Sequence, residues 1–68
     1  MKIGEKVIYK PVVGKEKNAI ILKRSEDYPN GFMKEFNLKS SFDYLIEIED
    51  KVEDKQIFCR KNQLRKNE

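Results

Sequence analysis

Cys59 is the chain's only thiol, and no histidine stands anywhere to act as its base or to share a metal ion with it. A cysteine nucleophile is activated by an adjacent base or cation, and structural zinc sites are built from several Cys and His ligands together. Neither set of parts is present. The run around it, QIFCR over 56–60, has the character of an apolar strand, where a lone cysteine serves as a small buried hydrophobe. A reactive thiol is the sharper alternative. The carboxylates concentrate in EDKVEDK, residues 49–55. Asp50, Glu53 and Asp54 could attract a divalent cation there, but their spacing matches no calcium-binding loop, and a solvated turn accounts for them. General acid–base catalysis needs a titrating group held in a pocket, and nothing in the pattern supplies one. The glycines at 4, 14 and 31 are isolated, so no phosphate-cradling loop is spelled out. The expectation is a non-catalytic protein without metal or cofactor.

Two sets of residues remain that could hold a partner. The first is Tyr28, Phe32, Met33 and Phe36, within SEDYPNGFMKEFNLKSS (25–41). Aromatics and methionine in a connecting segment have the composition of a protein contact site; the plainer role is to cover the core. The second is Lys15, Lys17, Lys23, Arg24, Lys34 and Lys39, from two loops and the strand between them. These could contact a phosphate backbone while Tyr28 and Phe32 stack on bases, at about 1–3 kcal/mol per base. Glu16, Glu26, Asp27 and Glu35 interleave with them and weaken the local field, and scattered lysines also simply keep a surface soluble. A protein partner, homodimerisation included, is therefore expected, with nucleic acid as the alternative.

Elements that would position these residues are legible along the chain. In FDYLIEIE, residues 42–49, Phe42, Tyr44, Ile46 and Ile48 fall on one face, opposite Asp43, Leu45, Glu47 and Glu49. Such period-two patterning marks a half-buried strand. QIFCR can follow as its antiparallel neighbour across the polar turn, burying Ile57 and Cys59. The charges separate sharply here: residues 43–54 sum to −5 and residues 55–66 to +5, within an overall net charge of +3. A hairpin would bring Glu47 and Glu49 beside Lys55 or Arg60, turning separation along the sequence into pairing in space.

Upstream, GEKVIYKP (4–11) predicts a strand ended by Pro11, VVGKEKN (12–18) a loop, and AIILKR (19–24) a second strand. Tyr28-Pro29-Asn30-Gly31 is a strong turn signal. Phe32 and Phe36 then fit either one amphipathic helical turn or an irregular strand. KNQL (61–64) suggests a single helical turn returning Leu64 to the core, with room for a very short last strand.

Together these segments describe an all-β chain: a small five-stranded barrel with a long loop after strand 2 and a one-turn helix before the last strand. The order KIGEKVIYKP, a glycine loop, NAIILKR, FDYLIEIED, a polar turn and QIFCRKNQL resembles the SH3-like barrels of the KOW and Tudor type. Gly4, Val7 and Tyr9 stand where that family carries a Gly-x-x-Val-x-Tyr strand, and Leu64 where it carries a capping leucine. The likeness covers nearly the whole chain and implies fold more than task, because this barrel hosts unrelated functions. It departs from the KOW pattern at Asn18-Ala19, where a glycine is usual. Small stand-alone barrels of this kind resemble bacterial or phage proteins, which suggests a small regulator that binds and modulates a host protein.

The chain's 68 residues accommodate one domain, expected over residues 1–66 with 67–68 as a tail. The longest apolar run, AIIL at 19–22, is far too short to span a membrane, and KIGEK carries no hydrophobic signal segment. A cytoplasmic setting is expected.

Overall fold

The computed structural model describes residues 1–67. Five strands form one antiparallel sheet: β1 (Lys6–Tyr9), β2 (Lys17–Arg24), β3 (Tyr44–Ile48), β4 (Gln56–Cys59) and β5 (Leu64–Lys66). Their spatial order is β4-β3-β2-β1-β5. The chain meanders from β1 to β4 and then returns across the molecule, so that β5 lies beside β1. β4 and β5 are the two edges of this ladder, and the sheet is not closed by hydrogen bonding between them. Of the expected tail, Asn67 donates its amide to the Lys6 carbonyl at 3.3 Å, and residue 68 lies outside the described residues.

The period-two pattern produces the inner face directly. Val7 pairs with Ala19 and Ala19 with Ile48, while Ile21 pairs with Ile46 and Ile46 with Ile57. Residues directly opposite in a ladder share a face, so these rows stack apolar side chains on one side. Val7, Ala19, Ile21, Tyr44, Ile46, Ile48 and Cys59 form the buried cluster, with Met1, Tyr9, Ile57 and Leu64 packed against it. The expected helical turn is a 3-10 turn over Lys61–Gln63. It delivers Leu64 opposite Tyr9.

β2 needs a bulge to keep this alternation. Ile21 opposes Ile46, but the next ladder partner of β3, Leu45, opposes Lys23, so Leu22 is an extra residue. An inserted residue bends and twists the strand. Beyond it Arg24 opposes Tyr44 and fastens the end of the sheet. Its guanidinium donates twice to Asp27, both at 2.8 Å, and once to the Met1 carbonyl at 3.2 Å.

The segment after β2 resolves the helix-or-strand alternatives in favour of a helical turn. A 3-10 turn over Ser25–Asp27 leads through Tyr28-Pro29-Asn30 into α1 (Gly31–Glu35). The Ser25 hydroxyl accepts the Phe32 amide at 3.1 Å, which caps the start from outside the helix. At the other end Asn37 takes a φ of 53°, and the Leu38 amide donates to the Met33 carbonyl at 2.8 Å. That is a Schellman closure with asparagine in the left-handed position.

The position of α1 corrects two sequence-based assignments. Leu45, expected on the polar face of β3, is buried. It opposes Phe58, and the aromatic rings of the α1 segment pack onto Phe58, so this part of the outer face is covered too. Phe42 was expected on the core face; instead it precedes β3 and packs on Phe58, centroids 6.1 Å apart. No helix among the described residues is long and apolar enough to cross a membrane.

Candidate binding groove

The aromatic residues singled out in the sequence come together, but they do so on one another. Phe32 is 1% exposed. Its ring lies 5.5 Å from Tyr28, 5.4 Å from Phe36 and 5.2 Å from Phe58, in tilted or edge-on arrangements. Such pairs are favourable beyond the area they bury. Tyr28 and Phe36 are half-buried in the same cluster. Of the four candidates only Met33 presents a large surface, at 45%. Most of the apolar content of 25–41 is therefore spent on internal packing.

The basic candidates are distributed over several elements, with Lys15 and Lys17 together at one concavity. Lys17 pairs with Asp50 at 3.5 Å, and Arg24 is engaged by Glu26 and Asp27. Lys23 lies over the Phe36 ring at 5.3 Å. Lys34 belongs to α1 and Lys39 to the connection after it, both exposed. Lys15 is on the β1–β2 loop, close to Lys17. The charge pairing expected in the hairpin is present: Lys55 meets Glu47 at 3.5 Å. Arg60 instead stacks on Phe42, at 5.5 Å, and donates to the Ser41 carbonyl.

An apolar concavity lies at the end of the sheet where the β1–β2 loop and the β3–β4 turn approach each other. It encloses about 210 Å³. Tyr9, Ile48 and Ile57 come from three strands, Pro11, Val13 and Gly14 from the loop, and Lys15, Lys17 and Lys51 supply charge around it. Gly14 has a φ of 109°, a conformation that glycine adopts without strain, and it turns the loop back toward β2. Burial raises the Tyr9 phenol above its ordinary pKa, with a smaller contribution from Cys59, so Tyr9 brings a neutral hydroxyl.

Three valines crown this end: Val12 is 92% exposed, Val13 87% and Val52 93%. Val13 also lines the groove, while Val12 and Val52 stand in water on the two loops that flank it. Of this groove, sequence reasoning had singled out only Lys15 and Lys17. The available signal was the placement of Val12-Val13 and Val52 inside otherwise polar turns.

A second cleft, of about 170 Å³ and bounded by Ser25, Glu26, Asp43, Tyr44 and Lys61, is less suited to a ligand. Asp43 already accepts the Lys61 amide at 2.8 Å, and Glu26 is paired with Arg24. Cys59 is buried, and its thiol is pushed up to about 12, first by burial and then by Asp43. It is protonated and inert at neutral pH. Among the described residues no three Cys, Asp or Glu side chains cluster to hold a metal ion. Comparison with protein-family models, with curated proteins and with solved structures yields no match to this chain.

Proposed function

We propose that this chain is a non-catalytic protein-interaction module: a small cytoplasmic regulator, of bacterial or phage kind, that binds and modulates a host protein through the groove end of its sheet. The observation carrying this is the apolar groove of Tyr9, Ile48 and Ile57 beside the exposed valines of two loops. An apolar centre with a charged rim is how a protein contact site is built. In this proposal the sheet is an SH3-like barrel of the KOW/Tudor type. Support comes from the long insertion after β2, the 3-10 turn before β5 and the return of β5 to β1. The earlier aromatic candidates become scaffold, and the working surface moves to the loop tips.

The test is selection from a displayed random-peptide library on the immobilised protein, with Val13→Asp as the groove variant. Peptides carrying an apolar anchor should be enriched on the wild type and lost on the variant. The proposal fails if Val13→Asp retains the same peptides. It also fails if the protein prefers single-stranded oligonucleotides, with affinity falling steeply in salt and depending on Lys34 and Lys39 rather than on Val13.

A further inference from the structure

Every charged side chain that lines the groove is basic. Lys15 comes from the β1–β2 loop, Lys17 from the start of β2 and Lys51 from the β3–β4 turn, and no Asp or Glu lines the cleft. Lys17 is shared with Asp50, at 3.5 Å. Lys15 and Lys51 are exposed and form no ion pair with a described residue. The rest of the lining is mainly apolar: Tyr9, Ile48 and Ile57 from the strands, Pro11 and Val13 from the loop. A cavity of about 150 Å³ with aliphatic and aromatic walls holds benzene. The groove, at about 210 Å³, has room for one large apolar side chain.

Charge complementarity selects among partners, and this lining fits an apolar anchor with negative charge beside it. A nucleic-acid strand meets that description poorly. Glu49, Asp50, Glu53 and Asp54 are exposed on the turn that carries Lys51, and they repel a continuous run of phosphates. Stacking of bases needs aromatic platforms, and Tyr9 is the one aromatic side chain in the lining. One or two carboxylates next to an apolar side chain require only Lys15 and Lys51. We infer that the groove takes a protein segment in which a large apolar side chain is flanked by Asp or Glu, the anchor against Ile48 and Ile57 and the carboxylates at Lys15 and Lys51. The inference rests on the groove being the interaction face, and it names the chemistry of the partner. Exposed ion pairs are individually weak, so the anchor supplies most of the binding and the lysines choose among anchors.

Peptides selected from the displayed library on the full chain should carry Asp or Glu close to their apolar anchor. One enriched sequence is then synthesised with blocked ends, so that no terminal carboxylate substitutes for a side chain. It is made as selected, with its acids changed to amides, and with its acids changed to lysine, and each form is titrated by fluorescence anisotropy at low salt. The amide form should bind about threefold or more weakly than the acidic one, and the lysine form more weakly still. Raised salt should narrow these differences. Lys15→Glu with Lys51→Glu should reverse the order of the three forms, and the milder Lys15→Gln with Lys51→Gln should level it. Lys34→Glu with Lys39→Glu changes the net charge by the same amount as the first pair but lies outside the groove, and should leave the order intact. Enriched peptides without acidic bias overturn the inference, as does an amide form that binds within about twofold of the acidic one. An order that survives the Lys15 and Lys51 variants overturns it too, as does tighter binding of oligothymidylate at the same site. If acids make no difference while Val13→Asp still abolishes capture, the inference fails and the groove stands as an interaction face. If capture survives Val13→Asp, both fall.

Discussion

Replacing Phe32 by alanine removes the ring on which the outer aromatic cluster converges. The side chain is 1% exposed and has three aromatic neighbours at 5.2–5.5 Å. A buried Phe→Ala change costs about 3–5 kcal/mol. A domain of this length has roughly 3–10 kcal/mol of stability, at about 0.05–0.15 kcal/mol per residue. The substitution should therefore remove from about a third to all of it and lower the melting temperature by more than about 10 °C. Met33→Ala, on the same short helix but 45% exposed, should stay within about 0.5 kcal/mol of the wild type. Urea unfolding followed by circular dichroism and tyrosine fluorescence measures both, since the chain contains no tryptophan. A loss below about 1 kcal/mol for Phe32→Ala, or a larger loss for Met33→Ala, would refute the claim that this cluster is a second core. The result also governs the design of binding experiments: a Phe32 variant that loses a partner has lost its fold first.

Gly31 has a φ of 71°, and a Cβ there would sit 3.3 Å from the Ser25 hydroxyl oxygen that caps Phe32. Gly31→Ala should cost about 1–2 kcal/mol from the left-handed backbone alone, read as a shift in urea midpoint. Cys59 gives an alkaline signature. Its thiol rises from an ordinary 9.0 to about 12 in the folded protein, so above pH 9 the unfolded chain releases a proton that the native state retains. Stability is fully present below that pH and is lost as pH rises through the folded value, by up to on the order of 4 kcal/mol. Urea midpoints at successive alkaline pH values should fall less steeply for Cys59→Ala than for the wild type. Glu47→Gln breaks the surface pair with Lys55 and should cost under about 1 kcal/mol; a larger loss in thermal unfolding would mean that the hairpin depends on it.

Much of the sheet was legible because its inner face obeys one rule. Tyr44, Ile46 and Ile48 alternate, the polar turn follows, and Ile57 and Cys59 answer on the next strand. The same rule misplaced Leu45, since alternation presumes that one face meets water. Whether it does depends on α1, an element remote in sequence. The conformation of α1 was undetermined for a related reason: Phe32, Lys34, Phe36 and Leu38 satisfy both periods. What selects the helix is the Ser25 hydroxyl, seven residues back, together with Asn37 in a left-handed conformation, and neither is written in hydrophobic pattern. The groove was less legible still. Its lining comes from residues 9–17 and 48–57, which become neighbours only once β2 carries the chain between them.

The division of charge along the sequence follows from where the fold places it. Exposed ion pairs contribute little stability, so pairs such as Lys17 with Asp50 and Glu47 with Lys55 do not explain why residues 43–54 sum to −5 beside a run of +5. Stability is carried by the inner cluster around Ile21 and Ile46 and by the aromatic cluster around Phe32 and Phe58. Some of the unpaired charges, Lys15 and Lys51 among them, line the cleft at one end of the sheet, and others, such as Lys34 and Lys39, lie on and after α1. Charge arranged in that way governs which surfaces may approach and in what orientation. A chain this small has used both faces of its β3–β4 hairpin to stay folded, and the surface we propose for recognition is the end of the sheet where the loops meet.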